Sequence, residues 1–399
     1  MERQDRTPLN AMQWLGLSAL VIGVFGCALV AMEEFNFFWP TCLYAFMCVW
    51  LVTIGAMGLL AIGNLTGGRW AMAARPFYLA SASLLPLVAV LFIPIAFSLE
   101  HIYPWAAEST SAELHLPPGK ADYLTESFFV GRAVGYFAVW LVIGWLLARV
   151  SRLDVPPGET SAMRRAGAAA LVLLLPTATF AAFDWGMSLE PHWYSSIYGA
   201  MLAAGGVLAA HSLAIVSLHA ATDAEIAATL TRLDWHHPDA ADQHAQPDAT
   251  ASQVRNDLGN LLLAFLMVWT YFSLSQFILI WAANLPTEVT WYLRRLQDGW
   301  RWLAVAIFLL HFAVPFLLLL SRERKRMRGR LAGIAAWLLV MYAVNLYWII
   351  VPAFDYVGWL WYAANIAALA AVGGFWLAAY SWQAKRRLHD GLTTTLTST

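Results

Sequence analysis

Charge is scarce in this sequence. Only 12% of its 399 residues are Asp, Glu, Lys or Arg, about half of the roughly 25% usual in a soluble globular domain, and that shortfall excludes a soluble enzyme. Cysteine is scarcer still. Cys27, Cys42 and Cys48 all lie in apolar runs, and there is no C-x-x-C or C-x-x-C-H, so covalent c-type haem and cysteine-ligated iron-sulfur clusters are excluded from this chain. The alternating apolar and polar pattern of membrane strands is absent as well, which leaves helices as the spanning element. A net charge of -1 gives no footprint for nucleic acid.

What is present is apolar and aromatic. Hydrophobic residues make up 60% of the chain, with 21 Trp, 21 Phe and 14 Tyr, the composition of a multi-pass membrane protein with aromatic belts at two lipid-water boundaries. A crossing needs about 20 mostly apolar residues. The sequence offers such runs at 14–32, 37–62, 76–97, 127–148, 166–185, 193–219, 258–283, 299–320, 331–351 and 357–382. The first of them follows mixed charges and has no A-x-A-like cleavage site, so it reads as an uncleaved span and not a signal peptide.

All of the 24 Lys and Arg except Lys120, Arg132, Arg294, Arg295 and Arg301 fall on the side shared by the termini and the even-numbered loops. Positive short loops stay cytoplasmic, so both termini are expected inside. The long inner loop, 220–257, carries His236, His237 and His244 without the spacing of a known metal site, and reads as a solvated linker with no metal.

Three short matches share nearly one offset. Arg132 and Arg301 open the fourth and eighth runs, Ser151-Arg152 and Ser321-Arg322 follow them, and Ala182-Phe183-Asp184-Trp185 parallels Ala353-Phe354-Asp355-Tyr356. They point to an internal duplication. The expected fold is an all-α integral membrane domain of about ten helices over residues 1–399. Two parallel-repeat four-helix bundles, 37–185 and 193–351, would be flanked by helices in 1–36 and 357–399.

Ionisable groups in or near hydrocarbon each invite a functional reading. On the outer half stand Glu100, His101, Glu126, Arg132, Asp184, Glu190, His192, Glu288, Arg301 and Asp355, with Gln276 and Asn345 inside spans. One reading is a polar chamber for a quinol head group or a proton exit. The plainer reading pairs Arg132 with Asp184 and Arg301 with Asp355, fastening adjacent helices. Asp184 to Ser196 is the most unusual stretch, with Pro191 placed to start the sixth span. His211 and His311 lie too far apart in depth to share a haem. With His219, Ser212 and Gln276 they are steps of a candidate proton route or packed core residues, and Pro315 frees the carbonyl of His311.

The segments FDWGMSLEPHWYSSIYG at 183–199, SLSQFILIWAANLPTEVTWYLRR at 273–295 and HFAVPFLLLLSR at 311–322, with TGGRW at 66–70 and YLTESFFVGRAVGYFAVW at 123–140, resemble one family. It is the NrfD and polysulfide-reductase membrane subunits, and within it the ActF subunits of bacterial alternative complex III, a quinol:cytochrome c oxidoreductase. The resemblance implies ten helices in two four-helix bundles. It also implies a paralogous membrane subunit (ActC-like), an iron-sulfur subunit (ActB-like) and c-type cytochrome subunits (ActA/ActE-like), all set in membrane lipid. Haem c and the iron-sulfur clusters would belong to those partners, and the ActC-like paralogue is the stronger candidate for the quinol site, with a quinone site here as an open alternative. In this sequence Asp184, Glu190 and His192 fall in the family's signature turn, and Asn284, Pro286, Glu288, Arg294 and Arg295 in its seventh-to-eighth loop. The rival expectation is a secondary transporter with a midplane polar site. Against it stand the parallel repeat and the lack of paired, broken midplane helices.

Overall fold

In the computed structural model, which describes residues 8–107, 114–151, 155–219, 247–297 and 299–396, ten helices are long and apolar enough to cross a membrane. They are Leu9–Glu33, Phe35–Thr66, Arg69–Ala96, Glu126–Val150, Ser161–Leu189, Tyr198–Leu218, Thr250–Ala283, Trp300–Leu320, Arg328–Ala353 and Trp359–Leu388, called here the first to tenth spans. The chain is an all-α membrane protein. With no water to satisfy open backbone groups, a helix closes its own hydrogen bonds, and these apolar runs supply the length.

The spans pack in a repeated order. The second span packs on the third and fifth, and the fourth on the third and fifth, closing a ring of four. The sixth packs on the seventh and ninth, and the eighth on the seventh and ninth, closing another. The two rings meet where the second and sixth spans cross. Gly55 and Gly206 lie at that crossing with backbone against backbone, so a Cβ at either would collide with the facing main chain. The first and tenth spans lie along one another, and the tenth packs on the second and third. Trp14, Val21, Ile22 and Phe25 of the first span stay exposed, as a lipid-facing helix requires.

The eighth span is the irregular one. Helix Trp300–Ala306 passes into a π-helical segment, Ile307–Ala313, and resumes as Val314–Leu320. Pro315 has no N–H for the carbonyl of His311, and the widened turns leave the Leu310 carbonyl to accept from Trp337 Nε1 at 2.7 Å.

Two boundaries differ from those expected. Pro191 does not start the sixth span, which begins at Tyr198. Residues 191–197 form an irregular turn because Trp193 is buried and Ser195 is tied to Gln276. The seventh helix runs from Pro247 to Ala283, 37 residues, or about 55 Å at 1.5 Å per residue. That exceeds a hydrocarbon core of about 30 Å, so its polar first turns extend beyond the apolar run. His236, His237 and His244 lie outside the described residues.

Candidate functional site

The turn between the fifth and sixth spans is held by charges that reach both rings. Asp184, at the end of the fifth span, is 1% exposed. It accepts from Arg132 Nε at 2.9 Å and Nη2 at 3.0 Å, and from the Tyr136 hydroxyl at 2.9 Å. Arg132 also donates from Nη1 to the Tyr123 carbonyl at 2.9 Å and lies over the Tyr123 ring at 3.7 Å. Burial first, and then the Asp184 carboxylate, push the Tyr123 phenol up to about 12. This is the fork-to-fork geometry of a guanidinium with a carboxylate, and it is the pairing expected from the sequence.

The second expected pair, Arg301 with Asp355, is not formed. Asp355 is 84% exposed and stands 3.9 Å from Arg294 Nη2, while Arg301 lies beside the Trp302 ring at 5.4 Å. The chain leaves the ninth span at a short 3-10 turn, Val351–Ala353, which carries Asp355 outward.

The second buried charge pair comes instead from Arg295 and Glu190. Arg295 Nη1 is 2.7 Å from Glu190 Oε1, an ion pair in which that oxygen accepts no hydrogen bond among the described residues, and Nη1 donates to the Trp291 carbonyl at 3.0 Å. Nε and Nη2 donate to the Ile349 carbonyl at 3.2 and 2.6 Å, and the guanidinium lies 3.7 Å over the Trp291 ring. Burial lowers the Arg295 pKa, and Glu190 acts the other way. Trp291 stacks on Trp193 of the turn at 4.9 Å. Helix Pro286–Leu296 is amphipathic, and Trp291 and Arg295, one turn apart, share its buried face.

Ser195 Oγ donates to Gln276 Oε1 at 2.5 Å, and the Gln276 Nε2 group is buried without a partner among the described residues. His192 and Tyr194 stay exposed on the same turn. The structure therefore joins Arg132, Asp184, Glu190, His192 and Gln276 around one turn, and places Arg301 and Asp355 apart from it.

The two membrane histidines differ. His211 is fully buried and satisfied, with the Tyr78 hydroxyl 2.6 Å from Nδ1 and Nε2 2.9 Å from the Leu258 carbonyl. The carbonyl can only accept, so Nε2 carries the proton and Tyr78 donates to Nδ1. Neither nitrogen is left for a metal. His311 is fully buried, and neither ring nitrogen has a partner among the described residues. Its ring lies 4.0 Å from that of Trp269, whose Nε1 is also unpartnered. Among the described residues no three His, Cys, Asp or Glu side chains gather as a metal site needs.

Sequence reasoning missed Tyr136, Tyr78 and Trp269, and left Arg295 without a role. Tyr136 was visible as the residue one helical turn after Arg132; Tyr78 and Trp269 gave no local signal. No model of a known protein family and no curated protein matches the chain.

Proposed function

We propose that this chain is a redox-cofactor-free membrane subunit of a quinol:cytochrome c oxidoreductase of the alternative complex III kind. It scaffolds redox partners at the 184–198 turn and carries a proton position in its eighth span. In this reading both termini are cytoplasmic, and the turn lies on the outer face of the bacterial inner membrane.

The observation that supports it best is the double fastening of that turn. Arg132–Asp184 and Arg295–Glu190 fix it to both rings and hold a rim with exposed His192 and Tyr194, a rigid docking surface for an extracytoplasmic partner. The motifs that carry the family resemblance lie in the same segments. His311, buried and without a partner among the described residues inside a π-helical segment, supplies the proton position, since such segments recur at functional sites. His211 takes no part, because both of its nitrogens are committed. The quinol head group is assigned to the paralogous partner.

The test is to tag the chain, extract it in mild detergent, and record co-purifying subunits, the haem spectrum and quinol:cytochrome c reductase activity. Haem-bearing and iron-sulfur partners with activity are expected. A colourless, solitary chain that takes up a solute in liposomes would overturn the proposal in favour of a transporter.

A further inference from the structure

The carbonyls of the eighth span meet a proline in either of two helical registers. In the π-helical segment, Ile307–Ala313, the Val314 N–H donates to the Leu309 carbonyl, five residues back. The next bond of that register would run from residue 315 to the Leu310 carbonyl, and Pro315 has no N–H to make it. Trp337 of the ninth span makes it instead, Nε1 donating to the Leu310 carbonyl at 2.7 Å.

In a regular α-helix each bond reaches back four residues. Val314 would then donate to Leu310, and the carbonyl left over would be that of His311, again because residue 315 is proline. It stands about 100° further round the helix than that of Leu310, so an indole aimed at Leu310 does not meet it. Each register thus leaves one carbonyl that the backbone cannot satisfy, and Trp337 supplies the donor for the wide one. Trp337 is 41% exposed and lies within the apolar run of the ninth span. Hydrocarbon offers its N–H no acceptor and the Leu310 carbonyl no donor, so the two groups satisfy each other.

We infer that the Trp337 indole N–H selects the π register of the eighth span and so positions His311 against Trp269. Without that donor the span closes to the commoner α-helix. Closing takes up one residue and turns Trp300–Ala306 about 100° relative to Val314–Leu320. The ring stack of His311 on Trp269, at 4.0 Å, belongs to the wide register. Trp337 is therefore a positioning residue. The choice of register stands by itself; its bearing on protons rests on the reading of His311 proposed above.

The experiment uses the full chain in nanodiscs, with Cys27, Cys42 and Cys48 replaced by alanine and nitroxide labels at Trp302→Cys and Leu317→Cys, exposed positions on either side of the π-helical segment. Double electron-electron resonance reads the distance between the labels. Trp337→Phe, which keeps an aromatic ring and removes the N–H, should shift that distance by several ångström. Trp348→Phe should leave it unchanged, since the Trp348 Nε1 on the same span has no partner among the described residues. Should Trp337→Phe fail to fold, benzothienylalanine placed at position 337, with sulfur in place of the N–H and the same ring shape, carries the test. An unchanged distance on loss of the N–H, or an equal shift with Trp348→Phe, would overturn the inference. In the assembled complex, Trp337→Phe should lower proton-linked activity as His311→Leu does. A shifted distance with activity kept would remove His311 from the proton reading and leave the register assignment standing.

Discussion

Asp184 and Glu190 leave the same short turn in opposite directions, Asp184 to Arg132 of the fourth span and Glu190 to Arg295 of helix Pro286–Leu296. Each acid is therefore matched by a base from a different ring of helices, and the turn is the clasp between the rings.

That clasp predicts strong coupling. Arg132→Leu and Asp184→Leu should each destabilise the chain by about 3–5 kcal/mol, the cost of stranding one member of a buried pair, while the double variant should lose much less than the sum. Detergent unfolding of the four proteins gives the cycle, and additive losses would show that the two charges do not act together.

The hydrogen-bonded histidine should behave as structure. Tyr78→Phe leaves His211 Nδ1 buried without its donor, a loss of about 1–3 kcal/mol. His211→Phe removes both bonds at once, and combining it with Tyr78→Phe should add little. Melting temperatures decide it; an unchanged melt for Tyr78→Phe would refute the assigned bond.

His311 should behave in the opposite way. No group among the described residues pairs with its nitrogens, so His311→Leu should change stability by no more than about 1 kcal/mol, or raise it. Proton-linked activity of the assembled complex should fall with it. A large loss of stability with activity kept per folded molecule would make His311 a packing residue.

Arg301→Gln and Asp355→Asn should be nearly silent, within about 0.5 kcal/mol each, as expected of exposed charges at long range. Thermal unfolding checks it, and a double-mutant coupling above that level would mean that the two residues pair.

The ten spans were legible because hydrophobic length is written locally, and bilayer thickness allows few alternatives. The Arg132–Asp184 pair was legible for a related reason, since two charges at the ends of adjacent apolar helices cannot remain alone. The sequence parallel that suggested Arg301–Asp355 carried no information on exposure, and the 3-10 turn after Ile350 decides that. Arg295 stands next to Arg294, and only the phase of an eleven-residue helix buries one and leaves the other out. Pro191 has the form of a helix start, yet Trp193 and Ser195 find better partners outside a helix. His211 and His311 look alike in sequence; what separates them is a tyrosine 133 positions away.

The enclosure of the second span bears on how the molecule is made. Its apolar window is 94% buried within the protein, yet it enters the bilayer long before the sixth and tenth spans that cover it are synthesised. It must pass for a lipid-facing helix in the meantime. Its sequence permits this, because the Thr53 hydroxyl donates to the Val49 carbonyl of its own helix at 2.8 Å and needs no neighbour until Trp376 of the tenth span donates to it at 3.1 Å. The Gly55 surface stays open to lipid until Gly206 arrives. Insertion and assembly are thus separate stages here, and a nascent chain halted after its fifth span would be correctly threaded but half built, a natural substrate for membrane quality control.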